Sequence, residues 1–318
     1  MLLLDYESDS FPTAVLPSGE SQLSVTWDDI LWAAVTVGRP DIFHIFRYGQ
    51  ASIYEAIFRW SMVRMALQQR GPRGEKIVRT DAFKQLDPTE KGAVNYFLGL
   101  LICKLFAAKL LDCPWTLHLD VFRAVLSPRL LSGRSRPDMV AQSASLREWH
   151  AFECKGRASV PGTTEKQKAK TQAQRLVKVK GTTCTLHVGA ITFFRNDTLE
   201  FCWRDPDPEV RGPIEIPDPE PAWQTYYSPF VDTYRSFAAR MVSAPDAQDL
   251  VPIGEMDLSV GMHPTVAPLL LHGDWQRTRE VARELHEEFA SSGYQPDGLL
   301  VKAGPSWLGR LERRPAVG

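Results

Sequence analysis

The chain has 318 residues, 44% hydrophobic and 24% charged, and its 37 Lys and Arg nearly cancel 38 Asp and Glu to a formal charge of -1. That length and balance suit one large or two modest cores and exclude disordered, collagen-like and coiled-coil classes. Near-neutrality gives no global pull toward nucleic acid or an anionic membrane, so any such attraction has to be local.

Met1 to Ser10, with Asp5, Glu7 and Asp9 after a short Leu run, lacks the basic and apolar regions of a signal peptide. The five cysteines, Cys103, Cys113, Cys154, Cys184 and Cys202, are odd in number, widely spaced and without a C-x-x-C pair. Both features point to a reducing cytoplasm. The first 25 residues read as turn-rich and loose. Trp27 to Val37 and Ala51 to Gln68 carry apolar residues at helical spacing, so the region 1–85 reads as helical, broken by Gly71-Pro72-Arg73-Gly74. Asp87-Pro88-Thr89-Glu90 is a strong helix start, with Asp87 as N-cap, Pro88 at the first helical position and Glu90 placed to close a capping box. That helix should run to about Leu111. Its apolar part, Phe97 to Leu111, is broken by Lys104 and Lys109 and falls short of the roughly 20 residues a membrane span needs. It predicts a buried or amphipathic helix, with no membrane partner.

From Trp115 the period switches toward two. Strands are predicted around Leu117, Leu119 and Phe122, then at Asp138 to Ala141, Trp149 to Lys155, Leu186 to Phe194 and Leu199 to Trp203. Between the third and fourth, Thr163 to Val179 predicts a helix, with Ala169, Ala173, Leu176 and Val177 as its apolar stripe. Pro and acidic residues crowd Asp205 to Pro221 and mark a linker at 205–222. The remainder, 223–318, reads as mainly helical, with helices at Val231 to Val242 and Trp275 to Ala290 and one short strand at Gly298 to Lys302.

Chemistry concentrates in Arg136-Pro137-Asp138-Met139-Val140 and Trp149-His150-Ala151-Phe152-Glu153-Cys154-Lys155-Gly156. Strand alternation puts Glu153 and Lys155 on one face and His150, Phe152 and Cys154 on the other. Asp138 brings a second carboxylate to Glu153 if the two strands pair as a hairpin. Two carboxylates and a backbone carbonyl, such as that of Cys154, form a hard oxygen site suited to Mg2+, with Mn2+ as a substitute. Lys155 would stand beside a metal-bound water, able to orient or deprotonate it or to stabilise charge on phosphoryl oxygens. Pro-Asp alone is uninformative, because it recurs at Pro40-Asp41, Pro206-Asp207, Pro217-Asp218, Pro245-Asp246 and Pro296-Asp297. Glu153-x-Lys155 is the one acid-x-Lys triplet in the chain. Cations gather nearby: Arg136, Arg157, Lys166 and Lys170, with Gln172 and Gln174, are the candidate contacts to a nucleic-acid backbone. The seven histidines show no metal-ligand spacing, and there is no Walker A loop.

These segments resemble the active-site signature of the PD-(D/E)XK nuclease superfamily. The order of elements from Asp87 to Trp203 is similar to that family's core of helix, three strands, helix and strand. The resemblance implies an α/β protein with a restriction-endonuclease-like core at 86–204, flanked by a helical N-terminal region and a mainly helical C-terminal one. It implies a Mg2+-dependent endonuclease, with Asp138, Glu153 and Lys155 catalytic and DNA as the expected substrate; a role in bacterial defence is an expectation by analogy. Family members often add an acid from the first core helix. Glu90 is the candidate, against its reading as a cap, and Glu55 is a weaker one. Some branches carry a Gln and an aromatic four residues apart after the Lys. Here Leu176 and Lys178 stand at that spacing from Gln172 and Gln174, a departure from that exonuclease branch. RNA as substrate, a homodimer and a partner protein all stay open, as does a catalytically silent nucleic-acid-binding or assembly subunit that keeps the fold.

Overall fold

Leu2, Leu4, Tyr6 and Ser8 alternate with Asp5, Glu7 and Asp9, and this period of two makes the N-terminus a strand, β1 (Leu2–Asp9), followed by β2 (Gly19–Val25). The computed structural model describes residues 1–37, 51–126, 128–130, 136–145, 148–179, 182–205, 220–241 and 250–308. β1 and β2 form an antiparallel hairpin, so the first 25 residues are sheet and not a loose segment. Helix α1 (Trp27–Thr36) starts at a capping box in which Thr26 and Asp29 satisfy each other's backbone amides. Helix α2 (Ala51–Ala66) ends earlier than its apolar pattern suggests, because Leu67 begins β3 (Leu67–Arg70), which pairs antiparallel with β4 (Lys76–Arg79) across the Gly71–Gly74 turn. The N-terminal region is therefore mixed in structure, not purely helical.

After the short α3 (Asp81–Gln85), helix α4 (Pro88–Leu110) starts where the sequence places it, with Pro88 in its first turn and the Asp87–Glu90 capping box closed. By length and composition α4 is apolar enough to cross a membrane, but 78% of its most apolar window is buried inside the protein. Then follow β5 (Trp115–His118), α5 (Arg123–Leu126), β6 (Arg129–Leu130), β7 (Met139–Gln142) and β8 (Trp149–Gly156). Helix α6 (Thr163–Ala173) is shorter than predicted, since Leu176 and Val177 belong to a strand, β9 (Leu176–Val179). The long hairpin of β10 (Thr182–Arg195) and β11 (Thr198–Arg204) completes this stretch.

The strands build one mixed sheet in the order β2-β1-β4-β11-β10-β8-β7-β5, with β3 beside β4 and β9 joining β10 to β6. β8 runs parallel to β10 and antiparallel to β7, and the crossover between β8 and β10 carries α6. Alternation along β11 divides the two faces: Phe201 and Trp203 pack on Phe106 of α4, whereas Cys202 joins Ile191, Phe193 and Ala169 of α6. Glycines set how closely the helices approach. A Cβ on Gly156 would lie 1.6 Å from the Asn95 carbonyl oxygen, and one on Gly189 would lie 2.5 Å from the Lys170 amide nitrogen. Helix backbones thus sit directly over the end of β8 and the middle of β10.

Of the Pro- and acid-rich stretch, 206–219 lies outside the described residues, while Asp205 is buried and accepts the His187 amide. Beyond it come α7 (Glu220–Ala238), β12 (Val251–Ile253), a 3-10 turn (Gly254–Met256), β13 (Leu258–Met262), α8 (Ala267–His272), α9 (Trp275–Glu284), α10 (His286–Ser291), β14 (Leu299–Ala303) and α11 (Pro305–Leu308). β12, β13 and β14 form a three-stranded antiparallel sheet, so this region, mainly helical among its described residues, carries two strands more than the one its sequence predicts. Nor does it stand apart. A single apolar cluster runs from Leu2 to Trp307, and the Ala303 amide donates to Asp28 of α1 at 2.7 Å.

Candidate active site

The β7–β8 ladder ends at the pair Met139–Phe152, and the next amide, that of Cys154, donates to the Asp138 carboxylate at 2.9 Å. Asp138 therefore sits opposite Glu153 at the end of the hairpin, as the sequence pattern requires. Glu153 and Lys155 share a face of β8 and lie across from Gly189 and Ile191 of β10, beneath the backbone of α6. Lys155 reaches back to pair its Nζ with Glu153 Oε1. Glu153 is nearly inaccessible, its side chain 2% exposed, and its Oε2 is buried with no hydrogen-bond partner among the described residues. An unpaired buried carboxylate oxygen is costly. Burial first, and then the charge of Asp138, push Glu153 up to about 7 against the pull of Lys155. Asp138 is also raised, mainly by burial, with the Cys154 amide opposing.

Helix α4 contributes Tyr96, whose hydroxyl lies 3.5 Å from Asp138 Oδ1. Burial and the nearby carboxylates raise this phenol, so it stays protonated and able to donate. On the other side of Asp138, its carbonyl accepts the Leu119 amide and lies 3.3 Å from His118 Nδ1. The sequence pattern points to an acid on this helix, and the structure brings a tyrosine to Asp138 instead. Glu90 is exposed, and its carboxylate accepts the Asp87 amide at 3.1 Å. The helix rises about 9 Å between Glu90 and Tyr96, so the cap reading describes Glu90 and Tyr96 is the residue that α4 presents to Asp138. Glu55 pairs with Arg59 at 2.8 Å and acts on His118.

The predicted cationic strip is largely committed to acids from elsewhere in the chain. Arg136 pairs with Asp120 at 2.5 Å, Arg157 with Glu165 at 3.0 Å and Lys166 with Glu7 of β1 at 2.7 Å. Lys170 is partly exposed on α6, where Gln172 lines an open hollow of about 680 Å³ with Thr163, Thr164, Gln167, Lys168 and Thr171. Gln174 is exposed at the end of that helix. Counting charges along the sequence could not register Glu7, which lies 159 residues from Lys166.

The donor set suits a hard divalent cation. Glu153 Oε2 lacks a partner, Asp138 stands beside it, and two carboxylates in a buried setting repel each other unless a cation or a proton intervenes. Among the described residues no third His, Cys, Asp or Glu joins them as a ligand cluster. The side-chain set is therefore two carboxylates, which leaves positions for backbone oxygen, water and a ligand's oxygens.

His150 faces away from the carboxylates, toward α4, and its Nδ1 is buried without a partner. Burial, with His187 nearby, lowers its imidazole to about 4 from the ordinary 6.5. The folded chain thus holds His150 neutral where the unfolded chain takes up a proton, so its contribution is whole above pH 6.5 and is lost as pH falls toward 4. The expected loss across that window is on the order of 3 kcal/mol. His150→Phe should flatten the stability curve there, read by urea unfolding at stepped pH; a curve parallel to wild type would contradict this.

Comparison with family models, curated proteins and solved structures returns no match for this chain.

Proposed function

We propose that the protein is a Mg2+-dependent nuclease of the PD-(D/E)XK kind, hydrolysing phosphodiester bonds of DNA in the cytoplasm. The observation that carries this reading is the buried, unpartnered Glu153 Oε2 beside Asp138, with Lys155 on the same strand face. The order α4, β5, β7, β8, α6, β10, with the two helices on opposite faces of the sheet, supports a restriction-endonuclease-like core. Asp138, Glu153 and the Cys154 carbonyl would hold the cation, Mg2+ or Mn2+. When bound, such an ion polarises a phosphodiester and lowers the pKa of a coordinated water. Tyr96 donates toward Asp138 and fixes the direction of its lone pairs. Lys155 Nζ, on the same strand face as Glu153, would hold a water or a phosphoryl oxygen there.

The Lys155–Glu153 pair also favours a second reading, a silent fold in which Lys155 permanently neutralises Glu153. Thermal unfolding separates the two. At pH 8, 10 mM Mg2+ should raise the wild-type Tm by about 2–5 °C, as expected for a site loaded well above its Kd, and leave Asp138→Ala unmoved. Equal response of both proteins, or none in wild type, would count for the silent fold.

A further inference from the structure

Among the described residues, three aromatic side chains are exposed: Tyr54 at 68%, Phe58 at 61% and Tyr96 at 46%. Every other described Phe, Tyr and Trp is buried or partly so. The three are not scattered. Tyr54 and Phe58 stand four apart on one ridge of α2, whose inward ridge buries Ile53, Ala56, Trp60 and Val63. The same turn of α2 lies beside the site. The Arg59 guanidinium stands 5.8 Å over the ring of Phe97, the residue after Tyr96, and Glu55 and Arg59 are close enough to act on His118, which touches the Asp138 carbonyl. Tyr96 belongs to both groups, its ring partly in solvent and its hydroxyl at the Asp138 carboxylate.

Large rings turned to water cost free energy with nothing gained in the fold, and a group of them marks a binding surface. The cations nearest the site are already paired, Arg136 with Asp120 and Lys155 with Glu153, so the rings are what this surface offers a ligand. Each nucleobase offers a flat π face, and a ring on each successive turn of a helix, about 6 Å apart, gives separate platforms for separate bases. Bases are available for stacking only where they are unpaired. Resting on the nuclease reading above, we propose that Tyr54, Phe58 and Tyr96 form a stacking platform that guides single-stranded DNA, or a frayed end of duplex, to the Asp138–Glu153 site.

The test is fluorescence anisotropy in EDTA, with full-length protein and a labelled 20-nucleotide DNA strand, the matching duplex, the same strand as RNA, and an abasic strand that keeps every phosphate. Tyr54→Ala/Phe58→Ala is expected to weaken single-strand binding at least about tenfold and duplex binding less than twofold. Tyr54→Trp/Phe58→Trp should restore it, and the abasic strand should bind wild type as weakly as the bases-present strand binds the alanine variant. Both positions are exposed, so the variants should keep the wild-type Tm. Single-strand binding equal in wild type and the alanine variant would overturn the platform and leave the nuclease reading intact. A loss confined to RNA would overturn the assignment to DNA. A wild-type dimer that the alanine variant dissolves would show a second copy covering this face and would overturn the proposal too. Wild type that binds and cuts no nucleic acid at all would remove both readings together.

Discussion

Glu153→Gln protein is expected to leave supercoiled plasmid, linear duplex and single-stranded DNA intact in Mg2+ or Mn2+ while unfolding at or above the wild-type temperature at pH 8. The two halves of this result have one cause. Glu153 is held beside Asp138 in a buried setting, where its charge is disfavoured by desolvation and by repulsion. An amide of the same shape removes the charge, relieves Asp138 and keeps the packing, so the fold gains or holds. Cleavage loses a cation ligand, and the rate should fall on the order of 10³-fold or more, the scale of removing one preorganised electrostatic contact from a reaction of this kind. Such an exchange of stability for activity is expected where a site stores repulsion for its ligand. Lys155→Ala separates holding from chemistry: cleavage should fall comparably while the Mg2+-dependent rise in Tm persists. Plasmid nicking on gels and thermal unfolding on the same samples read both halves. Wild-type cleavage by either variant would sink the mechanism, and loss of cleavage together with loss of folding in Glu153→Gln would sink its electrostatic basis.

What was legible in the sequence depended on how local the determining contacts are. The Asp87 cap, Pro88 and the β8 alternation act within a few residues, and the structure has the α4 start and the Glu153–Lys155 face where those patterns put them. The Asp138 position also followed, because a hairpin is a near-neighbour pairing. Misreadings arose where pairing is distant. β1 joins β11 almost 200 residues later, and its alternation of Leu4, Tyr6 and Ser8 with Asp5, Glu7 and Asp9 is too short and too rich in acids to specify a strand without that partner. Val251 to Ile253 and Leu258 to Met262 are too short to announce themselves as strands without β14 beside them. For the site, acids and lysines drew notice because the chemistry asks for them. Tyr96 did not, since an aromatic in an apolar helix reads as packing, and only its position over Asp138 distinguishes it.

The C-terminal region joins the core through a buried charge, and breaking that charge is expected to cost more stability than any surface change. Lys104 of α4 is fully buried, with its Nζ donating to the Pro114 carbonyl and to the Tyr226 hydroxyl, both at 2.9 Å, and lying 4.3 Å from the centre of the Trp32 ring. Asp297, equally buried, accepts from Trp32 Nε1 at 2.8 Å, from the Tyr226 hydroxyl at 2.6 Å and from the Leu299 amide at 3.1 Å. Four elements, α1, α4, α7 and the approach to β14, therefore meet on one cation and one anion. Burial brings Lys104 down to about 7 and raises Asp297, each opposed by attraction to the other. Removing one partner strands the other without compensation, so Lys104→Met should lose about 3–5 kcal/mol. Lys104→Met/Asp297→Asn should lose clearly less than the two single losses combined, since the double variant buries no net charge. Urea unfolding of the four proteins in the cycle measures the coupling, and additive losses would show that the two charges do not sense each other. Because α4 also delivers Tyr96 to Asp138 at its opposite end, the single variant should lose metal-induced stabilisation only together with global unfolding, whereas a fold held there by local contacts alone would release the site first.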